Sequence, residues 1–381
     1  MPYLLNISSR PMKYIKGLDG LRAIAILCVL GQHLFLSYFS YIFGPNENSI
    51  GSVGVSIFFV ISGFLITSIL LRERDSKESS GVLFARFYLR RALRIFPIYY
   101  LVILIGVVLG WEWFGEIAKW HLLYLTNIYV AIVNHWIGYA GHFWSLAVEE
   151  QFYLIWPAIL FFSPRRHTLS IIMIFIAIGL ISGPMMMVFG ASDIQTYVIP
   201  IAHFDELGLG ALLAYLLTYH RGLIERMRPQ AWHLACLFAV TLAFYYGLNY
   251  KAYSPLGDYV NRRMFDVLAA AMIIVCTLDT GRSWIVKLLE IWPLKQLGKI
   301  SYGVYLYHNL IPLLYLNTKY SIRNEHSVFG FLLYLFTAIG LATLSWHLIE
   351  KPILGLKGKV DATINRFRRL QHEDASTIGK R

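Results

Sequence analysis

Arg22 and His33 lie eleven residues apart in the first long apolar segment of the chain. On an α-helix this spacing is about three turns, so both side chains share one face, roughly 16 Å apart along the axis. Ionisable side chains inside apolar segments are costly and indicate a functional site. Neutral imidazole commonly takes a proton from a hydroxyl near neutral pH. We therefore expect His33 to act as a base in a group transfer, with Arg22 helping to hold an anionic donor.

Arg91 and Arg94 are three residues apart and so are neighbours on one helical face. Two guanidinium forks at that spacing can clamp phosphate groups bidentately. Arginines at the cytoplasmic end of a span are also ordinary anchors for lipid headgroups. The spacing alone leaves both interpretations open.

Glu149 and Glu150 are adjacent within another apolar segment, where carboxylates are costly unless they are paired or protonated. Their side chains point about 100° apart on a helix, so they cannot both face the same partner. We expect one of them to orient His33 as the third member of a catalytic group. The other would pair with an arginine or contact a hydroxylated acceptor. A buried structural ion pair is the alternative.

Further polar residues in apolar segments are candidates for lining a cavity, although packing is as good an explanation for His308. Gly54 and Gly63 are predicted to let helices approach closely. The sequence contains no Walker loop, GxGxxG, HExxH or CxxC motif, so no metal and no permanently bound cofactor is expected. The candidate cavity residues are Asp19, Ser62, Ser145, Tyr153, Ser301, Tyr305 and His308.

These residues lie in a chain of 381 residues that is 57% hydrophobic and 15% charged. Soluble domains are about 45–50% apolar, and the apolar runs here are long enough to cross a bilayer. The sequence predicts an all-α integral membrane bundle of about ten transmembrane helices. Segment 112–140 is rich in aromatic residues and is predicted to be interfacial or re-entrant, with an eleventh span as the alternative. The predicted spans are 18–42, 52–71, 95–110, 144–162, 168–188, 198–219, 231–249, 264–279, 301–317 and 328–350.

The formal net charge of +12 comes from basic residues that lie mainly in short loops, which indicates topology rather than nucleic-acid binding. The positive-inside rule places both termini in the cytoplasm. The first apolar segment is too long for a signal peptide and is expected to remain a span. We predict a membrane domain over 1–352 and a cytoplasmic basic tail over 353–381.

Six motifs in this order resemble the acyltransferase-3 family of integral membrane acyltransferases, and the resemblance runs from about Tyr14 to Pro352. Arg22 and His33 match the family's Arg-x10-His spacing, and Arg91 and Arg94 match its Arg-x-x-Arg pair. The other matching segments are Phe58-Phe-Val-Ile-Ser-Gly-Phe-Leu-Ile, Trp144-Ser-Leu-Ala-Val-Glu-Glu-Gln-Phe-Tyr, Ile300-Ser-Tyr-Gly-Val-Tyr-Leu-Tyr-His and Ile349-Glu-Lys-Pro.

The resemblance implies ten spans and transfer of an acyl group, often acetyl, from acyl-CoA to a hydroxyl of a saccharide acceptor such as lipopolysaccharide or exopolysaccharide. It implies a catalytic role for His33, a donor-binding role for Arg91 and Arg94, and a multi-pass location in a bacterial cytoplasmic (inner) membrane. Some relatives carry a C-terminal esterase-like domain. Only about thirty residues follow Pro352, so a stand-alone member is expected. The expected partners are acyl-CoA, the saccharide or glycolipid acceptor and membrane lipids. The alternative is a transporter or flippase of an anionic or glycolipid substrate, but the inverted repeats common in transporters are not found.

Overall fold

The computed structural model describes residues 14–36, 49–75, 79–227, 255–279, 281–315, 328–359 and 361–363. Within these residues every regular element is a helix. The predicted span 231–249 lies outside them. The α-helices are α1 Leu18–Leu30, α2 Ser49–Arg74, α3 Ser80–Val108, α4 Ala118–Leu122, α5 Thr126–Val133, α6 Phe143–Phe162, α7 Thr168–Val188, α8 Asp193–Val198, α9 Phe204–Tyr219, α10 Pro255–Thr277, α11 Trp284–Leu289, α12 Trp292–Lys299, α13 Ser301–Tyr307, α14 Ile311–Tyr315, α15 Val328–Ser345 and α16 Lys351–Leu354.

Helix α2 is the central element, and it packs against α1, α6, α9 and α10. Its most apolar stretch is 78% buried, compared with 22–56% for the other four helices of comparable length and apolarity. Apolar residues on those outer helices remain uncovered by protein, as expected for surfaces that face lipid. Helix α2 is therefore the wall shared by the polar sites described below.

Glycines bring the backbones of α2 and α9 into close contact. A Cβ atom at Gly63 would collide with the carbonyl oxygen of Leu207, and one at Gly210 would collide with that of Val60. Gly54 lies equally close to the backbone of α1. Small residues allow this approach between helices in membranes. The predicted packing roles of Gly54 and Gly63 are confirmed.

Five helices of the described chain are long and apolar enough to cross a membrane, and this supports a helical membrane protein. The predicted count of about ten spans is not reached by this criterion. The predicted span 301–317 is not a single helix in its described part, because α13 and α14 are separated by a turn at 308–310. In that turn the Leu310 N–H donates to the Tyr307 carbonyl at 2.8 Å. The five helices are Ile50–Arg74, Ser80–Val108, Arg165–Val188, Pro200–Tyr219 and Phe329–Thr363.

Segment 112–140 contains two short α-helices, of five and eight residues. A helix of eight residues is about 12 Å long, much shorter than a bilayer core. Asn134 ends α5 in the left-handed conformation, which turns the chain. The segment therefore has no eleventh spanning helix, in agreement with an interfacial or re-entrant course.

The segment 72–94, which separates the predicted spans 52–71 and 95–110, is mostly helical and continues the helices on either side of it. Helix α2 extends to Arg74, and α3 already begins at Ser80. Arg90 of this segment donates to both carboxylate oxygens of Asp361, at 3.1 and 2.6 Å. An ion pair of this kind compensates the charge of a side chain on a helix, so these charges do not require an exposed loop. Arg91 and Arg94 consequently lie inside a long helix rather than at its start.

Candidate active site

A cavity of about 180 Å³ lies between α1, α2, α3, α6 and α13. The apolar part of its lining comes largely from α2, and Tyr302 is a polar residue of the lining that the sequence did not single out. The cavity therefore gathers most of the residues that the sequence singled out. Ten of the thirteen candidates line it: Arg22, Ser62, Arg91, Arg94, Ser145, Glu149, Glu150, Tyr153, Ser301 and Tyr305.

The Arg91 guanidinium is held by aromatic and acidic neighbours from α6. Its Cζ lies 3.3 Å from the centroid of the Tyr153 ring, a close cation–π contact. Its Nε lies 3.8 Å from Glu150 Oε1. This distance is an ion pair rather than a hydrogen bond. The guanidinium is therefore fixed in place while much of its hydrogen-bonding capacity remains available.

Arg94 differs from the other two arginines of the cavity. Arg22 lies 3.6 Å from Asp19, whereas Arg94 has neither a hydrogen bond nor an ion pair with any residue that the structure describes. Arg94 is also exposed. Of the three guanidinium groups in the cavity lining, Arg94 is thus the one without an ion pair among the described residues. This arrangement suits an anionic ligand.

The two adjacent glutamates have different partners, as their helical directions predicted. Glu149 accepts a hydrogen bond from Ser62 at 2.6 Å, and Glu150 pairs with Arg91. Both nevertheless line the same cavity. Neither of these two carboxylates is in contact with the ring of His33 in the described structure, so the expected glutamate–His33 pair stays a prediction.

Hydroxyl groups and imidazoles adjoin one another at the cavity wall. The hydroxyls of Ser145 and Tyr305 are hydrogen-bonded to each other at 2.5 Å. The ring of Tyr305 lies 5.5 Å from the ring of His308, which lies 5.1 Å from that of His33 and 4.9 Å from that of His142. Three histidines thus cluster directly behind a tyrosine of the cavity.

His33, His308 and Asp19 do not line the cavity, and the prediction that His33 faces it together with Arg22 needs correction. His33 lies in a π-helical turn, Gly31–Leu36, which continues α1. A π-helix has more residues per turn, so it rotates the face expected from α-helical geometry. The His33 ring is exposed on part of its surface and packs against the fully buried His308. Single π turns are frequent at functional sites.

A network of hydrogen bonds fixes the start of α1 and the side chain of Asp19, which pairs with Arg22. Partial burial raises the pKa of the Glu290 carboxyl, but hydrogen bonds from the Gly17 N–H (2.7 Å), Lys295 (2.8 Å) and Tyr14 (2.9 Å) outweigh it and hold that pKa below its usual range. The Tyr14 hydroxyl also lies 3.1 Å from Asp19. Burial, with help from Asp19, raises the pKa of Tyr14, so the phenol stays protonated and can donate.

A second buried charged cluster was missed by the sequence reading. Arg263 of α10 lies 2.6 Å from Asp205, 2.7 Å from Glu206 and 3.2 Å from Asp266. It also donates to the Ala202 carbonyl at 2.8 Å. The three carboxylates are almost completely buried. The signal was present, because Asp205 and Glu206 are adjacent acids in an apolar segment, as Glu149 and Glu150 are.

This Arg263 cluster lies behind the cavity wall. His203 pairs with Glu206 at 3.0 Å, and its ring lies 4.9 Å from that of Phe59, which lines the cavity. Ser56 of α2 donates a hydrogen bond to Glu206 at 3.0 Å.

Over the described part of the chain, no group of three His, Cys, Asp or Glu side chains is arranged to hold a metal ion.

Comparison with known proteins gives consistent results. A family model for acyltransferase domains, Acyl_transf_3, matches residues 15–347. Peptidoglycan O-acetyltransferase OatA of Listeria monocytogenes is 29% identical, with 90% of this chain and 56% of the relative covered. Putative peptidoglycan O-acetyltransferase YrhL of Bacillus subtilis is 30% identical, with 90% and 55% covered. O-acetyltransferase OatA of Staphylococcus aureus is 27% identical, with 90% and 57% covered. The chain thus spans little more than half the length of these relatives. No solved structure matches.

Proposed function

The chain belongs to the acyltransferase-3 family, and from that premise we propose that it is a membrane O-acetyltransferase that uses acetyl-CoA and a hydroxyl of a cell-surface saccharide. The observation that carries this proposal is the cavity itself. It combines the guanidinium of Arg94, which forms no ion pair with a described residue, with the hydroxyls of Ser145 and Tyr305, behind which the histidine rings lie.

The arginines of the cavity would bind the donor. Acyl-CoA is polyanionic at its nucleotide end, and guanidinium groups bind phosphates with strong, directional hydrogen bonds. Arg94 is the primary contact because it forms no ion pair with a carboxylate in the part of the chain that the structure describes. Arg91 would bind the same phosphates beside Arg94, and its guanidinium is held in place by Tyr153 and Glu150. The long pantetheine arm would then extend along the apolar wall of α2 towards Tyr305.

His33 would act as the base at the border between cavity and surface. The acceptor approaches from the exposed side of the imidazole, and its oxygen attacks the thioester carbonyl while the carbon–sulfur bond breaks. In this direct route His33 takes the hydroxyl proton and passes it to the CoA thiolate. In the covalent route a His33 nitrogen attacks the thioester instead and the CoA thiolate leaves; the acceptor oxygen then attacks the acyl-imidazole, the carbon–nitrogen bond breaks, and the hydroxyl proton goes to the departing thiolate. Base catalysis contributes about 10²–10⁴-fold, and the remaining acceleration comes from positioning both substrates.

The favoured acceptor is a peptidoglycan-type saccharide. The Listeria relative is named a peptidoglycan O-acetyltransferase and the Bacillus relative a putative one, and these names favour peptidoglycan over lipopolysaccharide or exopolysaccharide. With both termini in the cytoplasm, Arg91 and Arg94 would bind acetyl-CoA that enters from the cytoplasm. The transporter alternative has no support from the names of these relatives.

The test is acetyl transfer in proteoliposomes from labelled acetyl-CoA to peptidoglycan fragments. His33→Ala should reduce turnover by about 10²-fold or more because the base is lost. His347→Ala is the matched control, since His347 is an exposed histidine outside the cavity lining. Full transfer by the His33 variant would remove it as the base. Substrate movement across the bilayer without acetyl-CoA consumption would instead support the transporter. Mass spectrometry of glycans from cells with and without the gene would identify the acceptor.

A further inference from the structure

The segment that follows α15 lies against α3, and the proposed chemistry does not yet use it. Helix α15 continues into a π-helical turn, Trp346–Glu350, and then into α16. Both the turn and α16 pack against α3. The segment contains the Ile349-Glu-Lys-Pro motif, and single π turns are frequent at functional sites. It therefore lies beside the helix that carries Arg91 and Arg94.

The segment passes the arginines of α3 in reverse order. Near its start, Glu350 is close enough to Arg94 for their charges to interact. Eleven residues later, Asp361 accepts two hydrogen bonds from Arg90 and lies 3.9 Å from Arg86. These three arginines are spaced four residues apart, so they occupy neighbouring positions on one face of α3. The segment therefore runs along that face from Arg94 towards Arg86.

Lys357 lies between these two contacts, four residues before Asp361 in the same helical stretch. Four residues are about one helical turn, so Lys357 lies about one turn from the Arg90–Asp361 ion pair. Its ammonium is close enough to Arg90, Arg91 and Arg94 for their charges to interact. The ion pair therefore holds Lys357 beside the arginines.

Lys357 is partly buried, and it forms neither a hydrogen bond nor an ion pair with the residues that the structure describes. An ammonium has three N–H donors and no acceptor. Asp361, the carboxylate with which its charge interacts, already accepts both hydrogen bonds from Arg90. Clustered cations raise the local concentration of anions. Lys357 is therefore available to an anionic ligand.

The chemistry of acyl-CoA indicates which anionic group would reach Lys357. In this donor the pyrophosphate links the pantetheine arm to the ribose, and the ribose carries a separate phosphate monoester on its 3′ oxygen. The monoester is therefore farther along the molecule from the thioester than the pyrophosphate is. Arg91 and Arg94 line the cavity, whereas Lys357 does not. Lys357 would accordingly meet the part of the donor that lies farthest from the thioester.

We propose that Lys357 binds the ribose 3′-phosphate of the donor, next to the arginines that bind its pyrophosphate. The Arg90–Asp361 ion pair fixes the segment that carries the lysine. Lys357 then selects 3′-phosphorylated donors over donors that lack this phosphate. The inference rests on the proposed function, because it adds a contact to the same donor.

A donor without the 3′-phosphate isolates the role of Lys357. The measurement is the KM for acetyl-CoA and for acetyl-3′-dephospho-CoA in proteoliposomes. Lys357→Met should raise the KM for acetyl-CoA by about 10-fold, the usual loss with one hydrogen bond to a charged group. It should not change the KM for the dephosphorylated donor, and kcat should stay the same with both. Lys357→Arg keeps a charged donor group and should stay within a few-fold of wild type.

Lys359→Met is the matched control, because Lys359 is an exposed lysine two residues away. Its KM should equal that of wild type with either donor. An equal increase for both donors in Lys357→Met, or no increase with acetyl-CoA, would overturn the inference. An increase that appears only in vesicles with anionic lipid would assign Lys357 to a lipid headgroup and would also overturn it. Absence of transfer by wild type from either donor would instead refute the proposed function.

A binding measurement on the wild-type protein covers the case in which the Lys357 variants fold poorly. Calorimetric titration in nanodiscs of neutral lipid should show CoA binding about 10-fold more tightly than 3′-dephospho-CoA. The difference should shrink at high salt, because screening weakens the attraction between exposed charges. Equal affinities of the two compounds at low salt would exclude a site for the 3′-phosphate.

Discussion

Replacing Arg263 with methionine should destabilise the fold more than any change at the surface. The substitution removes the cation that lies within 3.2 Å of three carboxylates, and these carboxylates are 1–5% exposed. Breaking a buried ion pair by removing one partner costs about 3–5 kcal/mol, because the other charge stays buried and uncompensated. With three carboxylates affected, we expect the loss of unfolding free energy to lie at the upper end of that range.

The assay is equilibrium unfolding in mixed micelles, followed by tryptophan fluorescence. Arg221→Met is the control, since Arg221 is 63% exposed in its pair with Glu225 and such pairs contribute at most about 1 kcal/mol. Adding Asp205→Asn and Asp266→Asn to the Arg263 variant should recover much of the loss, because neutral amides bury at lower cost than orphaned carboxylates. A loss below about 1 kcal/mol for Arg263→Met, or no recovery in the combined variant, would refute this reasoning.

Three further changes give separate tests. Gly63→Ala should destabilise the protein by about 1–3 kcal/mol, because the added Cβ would collide with the α9 backbone. Gly81→Ala should not destabilise it, because a Cβ on Gly81 would point into open space. Equal melting temperatures of the two variants would contradict the packing argument. Glu290→Gln should destabilise only above the usual carboxyl pKa, because the folded-state pKa is lowered and the stabilisation is lost as pH falls through it; unfolding as a function of pH measures this, and a difference that grows towards acid would oppose it. Arg94→Ala should raise the KM for acetyl-CoA by about 10–100-fold, the equivalent of about 1.5–3 kcal/mol for hydrogen bonds to a charged group; Arg221→Ala should leave KM unchanged, and matching KM values would contradict the donor role of Arg94.

The sequence predicted much of the candidate site because charged residues inside apolar segments stand out whatever their tertiary contacts. Arg91, Arg94, Glu149 and Glu150 were found in this way, and all four line one cavity. The actual pairing was not predictable, because it depends on where α2 and α6 meet. Ser62, rather than a histidine, holds Glu149.

Local backbone irregularities explain the main errors. The same-face prediction for Arg22 and His33 assumed an unbroken α-helix, and the π-helical turn Gly31–Leu36 changes the register just before the imidazole. Within the predicted span 301–317, a turn at 308–310 divides the helix, which the apolar pattern did not show. Hydropathy averages over such breaks, because both segments remain apolar. The Arg263 cluster was missed for another reason: a cation on α10 and acids on α9 become partners only through tertiary packing.

Helix α2 explains how one bundle can hold two sets of buried charges with separate roles. The segment 52–71 contains no charged residue, yet Ser62 donates to Glu149 in the cavity and Ser56 donates to Glu206 in the Arg263 cluster. These serines are six residues apart, about 9 Å along the axis and on different faces. The apolar body of α2 therefore separates the two sets. It follows that loss of Arg263 should lower the fraction of folded protein while the KM for acetyl-CoA of the folded molecules stays unchanged.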